Sequence, residues 1–205
     1  HTLHCMDAFA SKRIGDQWED LVVGFAVLCH DLGKPLTTQI GKDGRIRSPM
    51  HEPKGEEPTR SFLSRLTNQV DLHEQVVPLV RRHLTPRTFY KDQAGDGAIR
   101  RLASKVKRID RLVRVAAADI AGRHTREDEF AEGRWLLERA AELKVKDSEP
   151  KPVILGRHLI ERGLQPGPDF SPILKKCFEA QLDGEFKDTL TGLNYLDALL
   201  EMKDF

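Results

Sequence analysis

The residues best suited to chemistry lie in one run, Cys29-His30-Asp31-Leu32-Gly33-Lys34. Adjacent His and Asp on a helix project about 100° apart, so an imidazole nitrogen and a carboxylate oxygen can reach one divalent ion together. Alone, the pair reads more readily as a helix C-terminus with a favourable histidine and an exposed aspartate. Its company narrows the choice. Asp119 falls on the apolar stripe Leu112, Ala116, Asp119, Ile120, where a lone carboxylate is costly unless it is paired or ligates a metal. His83 sits on the stripe Val76, Leu79, Val80, and His1 shares a face with Cys5, Ala8 and Phe9 if the first residues are helical. His51 closes a long loop just before a helix. Each of these histidines, taken singly, also fits a satisfied core or surface side chain; Asp119 is the hardest to explain that way. His124 and His158 stand in polar contexts and read as structural or solvent-facing. No GxGxxG, P-loop or GxSxG is present, and Cys29 is buried by its pattern rather than poised as a nucleophile.

The elements that must hold these residues are helical. Trp18, Leu21, Val22, Phe25, Leu28 and Cys29 follow an i, i+3, i+4, i+7 pattern that Gly33 and Pro35 end. Phe62, Leu63 and Leu66 mark a second helix, Val76 to His83 a third closed by Pro86, Ile109 to Ile120 a fourth, and Trp135, Leu136, Ala140 and Ala141 a fifth. Runs of alternating polarity are almost absent. The expectation is an all-α bundle of roughly eight to ten helices, with no sheet. Pro35 to Gly55, with four Gly or Pro between Gly41 and Pro53, reads as a long functional loop. Lys144 to Pro152 reads as a linker between a main domain, 1–145, and a small helical C-terminal region, 153–205. That region shows a short helix from Ile154 stopped by Gly163, then one with Ser171-Pro172 at its start and Gly184 at its end.

Composition sets the outer limits. The 205 residues carry 33 Lys+Arg against 32 Asp+Glu, a net charge of +1, with 32% charged and 39% hydrophobic residues. A chain of that size buries a core without disulfide staples. Mean hydropathy is −0.48, and the longest apolar run, Leu21 to Cys29, is too short to span a bilayer. There is no signal-peptide pattern. Three cysteines, Cys5, Cys29 and Cys177, stand far apart without a CxxC pair, so a reducing cytoplasm is the expected compartment. Near-neutral charge argues against a protein built wholly for nucleic-acid binding. It also averages a basic stretch, Arg81 to Arg114, against an acidic one, Glu127 to Glu132. Within the former, Arg100, Arg101, Lys105, Lys107, Arg108, Arg111 and Arg114 face only Asp110. They form either a solvated helix face or a phosphate-tracking surface for RNA. The start at His1 rather than Met points to a piece of something longer.

The order His1, His30-Asp31, Asp119 resembles the H…HD…D signature of HD-domain phosphohydrolases. His51 to Gly55 (HEPKG) resembles their HExxG segment, and PLVRRHLTP around His83 their LVxxHxxP segment. The opening HTL, FAVLCHDLGKPLT and AAADIAGR are more closely similar to the HD domain of bacterial tRNA nucleotidyltransferases of the multifunctional, CCA-adding type. The tail PVILGRHLIERGLQPGPDFSPILKKCFEAQLDGEF resembles the C-terminal part of the poly(A) polymerase/tRNA nucleotidyltransferase family.

This resemblance implies a divalent metal held by His1, His30, Asp31 and Asp119, with His51 and His83 binding a second metal or contacting phosphate. It implies hydrolysis of phosphomonoesters or 2′,3′-cyclic phosphates of nucleotides or RNA ends, with His30, Asp31 and Lys34 catalytic. Lys34, Arg123 and Arg82 are the cations expected at the substrate phosphate, and Arg100, Arg101, Lys105 and Arg108 those expected at RNA. The mixed His/carboxylate set suits Mn²⁺, Ni²⁺, Co²⁺ or Fe²⁺ and tolerates Mg²⁺ less well. The family's nucleotidyltransferase head is missing. The rival expectations are a non-catalytic helical module that binds tRNA, or one that mediates homodimerisation.

Overall fold

The computed structural model describes residues 1–123 and 130–202; His124 and the acidic residues 127–129 lie outside them. The architecture is all-α. In chain order the helices are α1 (Thr2–Ser11), α2 (Gln17–Cys29), α3 (Lys34–Thr37), α4 (His51–Lys54), α5 (Glu56–Ser64), α6 (Val70–Arg82) and α7 (Thr85–Lys91). There follow α8 (Asp96–Val106), α9 (Ile109–Ala121), α10 (Ala131–Glu142), α11 (Gly156–Ile160), α12 (Phe170–Asp183) and α13 (Thr189–Met202). Among the described residues the count exceeds the expected eight to ten because α3, α4 and α11 are single turns of four or five residues, too short to leave a periodic signature. The expectation of no sheet needs a correction too. Inside the long loop, β1 (Gln39–Ile40) pairs antiparallel with β2 (Ile46–Arg47), Gln39 opposite Arg47 and Ile40 opposite Ile46. Two residues per strand are too few for an alternation pattern to be visible.

At the centre lies α2, packed against α1, α6 and α9. Asp16 caps it, its carboxylate accepting from the backbone N–H of Trp18 (2.9 Å) and Glu19 (3.0 Å). Val22, Val23, Ala26, Val27 and Cys29 are buried, whereas Leu21 and Leu28 of the expected stripe face outward. With helices on several sides, the buried face of α2 is broader than one stripe and is rotated toward its β-branched residues.

The buried apolar residues form two clusters. The first runs from Cys5 to Val145, and the second, from Ile154 to Leu199, joins α11, α12 and α13. Arg101 on α8 links the two, reaching Glu179 (2.9 Å) and Asp183 (2.5 Å) on α12. Among the described residues no helix is long and apolar enough to cross a membrane.

Candidate metal centre

Helix ends converge on one point. His30 is the residue that ends α2 and His83 the one that ends α6, while Asp119 lies in the last turn of α9. A helix C-terminus leaves its last carbonyls without intrahelical partners. Here two imidazoles take that role: His30 Nδ1–H donates to Val27 O and His83 Nδ1–H to Val80 O, each at 2.7 Å. His51, the first residue of α4, does the same toward Ser48 O at 2.8 Å. A carbonyl only accepts, so the proton of each neutral ring sits on Nδ1 and the Nε2 lone pair is left facing inward.

Those inward-facing nitrogens meet the carboxylates. His1 Nε2 lies 2.8 Å from Asp119 Oδ1 and 3.4 Å from His30 Nε2. His30 Nε2 is 3.3 Å from Asp31 Oδ2 and 3.4 Å from Asp119 Oδ1. On the other side His51 Nε2 stands 3.3 Å from His83 Nε2 and 3.6 Å from Asp31 Oδ1. Ligand atoms within 4.8 Å of one another thus fall into two sets, His1/Cys5/His30/Asp119 and Asp31/His51/His83. Six expected ligands come together in one cluster.

Two details fit a cation at this place. Among the described residues, His51 and His83 turn lone pairs toward each other with no donor between them, and Asp31 Oδ1 is buried without any hydrogen-bond partner. Three acceptors facing one spot repel unless a positive centre lies among them, and imidazoles oriented through Nδ1 are the arrangement in which His ligates through Nε2.

The electrostatics follow from this crowding. Burial opposes charge on His30, but the carboxylates of Asp119 and Asp31 outweigh it and push its pKa to about 9. Burial, then the neighbouring His30, pulls His83 down to about 4, so it is neutral. Burial would raise Asp31 and Asp119, yet His30 with Lys34, and His30 with Arg123, hold each at about 2. Both carboxylates are ionised, as metal ligands must be.

Close backbone approach makes the convergence possible. A Cβ on Gly33 would run into the His51 carbonyl oxygen, and one on Gly122 into Cys5. Gly33 therefore lets α4 seat His51 beside Asp31, and Gly122 lets α1 seat His1 beside Asp119. Glu52 Oε1 accepts from Leu84 N–H (3.2 Å), tying α4 to the end of α6.

The expected phosphate cations are placed differently from one another. Lys34 Nζ donates to Asp31 Oδ2 at 2.6 Å, and Arg123 Nη2 to Asp119 Oδ2 at 2.7 Å, so each leans on a carboxylate of the cluster. Arg82 is half-buried, its pKa lowered by burial and by Arg81. The stretch from Arg100 to Arg114 is largely tied up in ion pairs. Arg100 meets Asp96, Arg101 meets Glu179 and Asp183, Arg108 meets Asp110 and Glu19, and Arg114 meets Asp20. Arg111 is buried in a two-pronged pair with Glu19, while Lys105 is exposed. His158 is buried in the C-terminal cluster, its Nδ1 accepting from Leu155 N–H (3.1 Å).

Two features escaped sequence reasoning. Cys5 Sγ is 3.5 Å from His1 Nε2; the i, i+4 spacing from His1 was its signal. Burial, then Asp119 and Asp31, raise its pKa to about 11, so without a metal it is a thiol. Arg87 and Thr88, one turn beyond His83, line a cleft beside the cluster together with Lys34, Thr38, Ser48 and Arg123.

No family model matches the chain, and no solved structure matches it significantly. Curated proteins do. The chain is 34% identical over 122 residues to a "Multifunctional CCA protein" of Xylella fastidiosa (strain M12), covering 57% of this chain and 29% of that protein. To a "CC-adding tRNA nucleotidyltransferase" of Thermus thermophilus it is 34% identical over 163 residues, 78% of this chain and 36% of the other. To an "A-adding tRNA nucleotidyltransferase" of Deinococcus radiodurans it is 30% identical over 173 residues, 81% and 39% respectively. The chain thus has homologues among the tRNA nucleotidyltransferases and multifunctional CCA proteins, and it spans between 29% and 39% of the length of these three.

Proposed function

We propose that this chain is a metal-dependent phosphohydrolase of the HD type. Its substrates are phosphomonoesters or 2′,3′-cyclic phosphates of nucleotides or RNA ends, and its setting is a protein of the tRNA nucleotidyltransferase kind. The observation that carries the proposal is the inward-facing set of Nε2 atoms of His30, His51 and His83 around Asp31 and Asp119, with Asp31 Oδ1 unpartnered among the described residues. His1, His30, Asp31 and Asp119 hold one divalent ion, and His51 and His83 share Asp31 for a second or face the phosphate. When bound, such an ion lowers the pKa of a coordinated water and polarises a phosphoryl oxygen. The chain's own part is orientation and charge. Val27 and Val80 carbonyls fix the rings of His30 and His83. Lys34 and Arg123 would offset the negative charge that develops on phosphate. The imidazole-rich donor set favours Mn²⁺, Ni²⁺, Co²⁺ or Fe²⁺ over Mg²⁺. The test is hydrolysis of adenosine 2′,3′-cyclic phosphate and of a phosphomonoester by metal-loaded protein and by a His30→Ala/Asp31→Ala variant. The variant is expected to be inactive; undiminished hydrolysis in it would falsify the assignment.

A second reading is a non-catalytic helical module that positions tRNA, which the names of two relatives mention, or that pairs two copies of the chain. It predicts no metal uptake, and salt-sensitive RNA binding that weakens when Arg100, Arg101, Lys105 and Arg108 are replaced. Binding of a tRNA transcript across a salt series, with solution mass at several concentrations, separates it from the first.

A further inference from the structure

Beside the cluster, beneath the β1–β2 ribbon, an open cleft of about 560 Å³ is lined by Lys34, Thr38, Ser48, Arg87 and Arg123, with Ile46 as an apolar wall. Among the described residues no carboxylate lines it. Its cations differ in how they are neutralised. Arg47, also on the rim, is held two-pronged by Asp43 at 2.7 and 2.6 Å. Lys34 and Arg123 lean on Asp31 and Asp119. Arg87 is exposed and forms no ion pair among the described residues.

That inventory leaves positive charge in excess. Asp31 and Asp119 are the carboxylates the proposed function commits to a divalent ion, which withdraws counter-charge from Lys34 and Arg123 as well. Arg87, on α7, stands one turn past His83 and lines the cleft together with His51. With Thr38, Ser48 and Thr88 hydroxyls around it, Arg87 presents a planar fork suited to a phosphate.

We infer that this cleft binds a second phosphate of the substrate, beyond the one at the metal-ligand cluster, and that Arg87 is its anchoring cation. The inference rests on the phosphohydrolase reading and narrows its substrate to nucleotides or RNA ends that carry two phosphates. A nucleoside bisphosphate and the penultimate linkage of an RNA end present the same chemistry there.

The experiment is calorimetric titration of the metal-loaded protein with hydrolysis-resistant phosphorothioates. The ligands are adenosine with one group (3′), adenosine with two (3′,5′), and an adenine dinucleotide ending in a 3′ group. At least one of the two-phosphate ligands is expected to bind about tenfold or more tighter than the one-phosphate ligand. A gain confined to the dinucleotide identifies an RNA end, and one shown by the bisphosphate a free nucleotide. Arg87→Ala is expected to erase the gain while metal content and one-phosphate affinity stay unchanged, and Arg87→Lys to keep part of it. Equal affinities for all three ligands, or an Arg87→Ala loss that falls equally on each, overturn the inference. Failure to take up metal or to bind the one-phosphate ligand overturns the phosphohydrolase reading instead.

Discussion

At His30 and His83 one imidazole does two things: Nδ1 satisfies an orphan carbonyl at a helix end, and Nε2 faces the cluster. The first fixes the second, so the site is oriented by the same groups that finish α2 and α6. Asp31 lies between the two ligand sets, with Oδ2 3.3 Å from His30 Nε2 and Oδ1 3.6 Å from His51 Nε2. Asp31→Asn removes the charge and turns part of the side chain into a donor. It is expected to weaken divalent-metal binding by about 100-fold or more, read by titration with Mn²⁺ or Co²⁺, while thermal unfolding of the metal-free protein changes little. At this scale much was legible. Asp119 stood out because a carboxylate on a core stripe demands a partner, and His30-Asp31 because the pair ends a buried run. Cys5 and Arg87 did not stand out, since a buried thiol and an exposed arginine are ordinary in any helix; only their distance to the cluster marks them.

The elements are held in register by a few polar and steric contacts whose strengths differ. Arg111 on α9 and Glu19 on α2 form a buried pair, at 2.6 Å between Nε and Oε2. Removing Arg111 leaves Glu19 with Arg108 as its remaining ionic partner, so Arg111→Ala is expected to cost about 1.5–3 kcal/mol in denaturant unfolding. Gly33→Ala pushes a methyl group into α4 and is expected to cost about 1–3 kcal/mol and to displace His51 from the cluster, seen as lower metal affinity. Asp20 ties the α1–α2 connection to α9 through Ile14 and Gly15 N–H and Arg114. Burial would raise its pKa, but Arg114 and those amides hold it at about 2 against an ordinary 3.8. A folded value below the unfolded one gives stability that is present above pH 3.8 and lost as the pH falls toward 2. Asp20→Asn is therefore expected to flatten the acid limb of the stability profile; an unchanged limb contradicts the pairing. The long helices were legible from periodicity. The single turns α3 and α4 and the β1–β2 ribbon were not, because four residues or fewer carry no period, and tertiary contacts at Gly33 and Gly55 decide them.

Across the whole molecule, two apolar clusters are joined by surface charge at α8 and α12. Ion pairs of this partly exposed kind contribute about 0.2–1 kcal/mol, so Arg101→Ala is expected to alter global unfolding by no more than that, in contrast to Arg111→Ala. The same pairs give the basic stretch its opposition: cations that look unopposed along the sequence meet carboxylates distant in it, such as Arg101 with Asp183. Pairings across that separation leave no local signal, whereas the metal-ligand set does, because each member sits on its own periodic stripe or at a helix end. The central claim is that these ends meet in order to hold a divalent ion. Elemental analysis of the purified protein, alongside a His30→Ala/Asp31→Ala variant that unfolds with an unchanged cooperative transition, tests it most directly. The account predicts at least one equivalent of divalent transition metal in the parent and its loss in the variant. A parent protein at background after incubation with Mn²⁺, Co²⁺ and Ni²⁺, or a variant that retains its full metal, would contradict it.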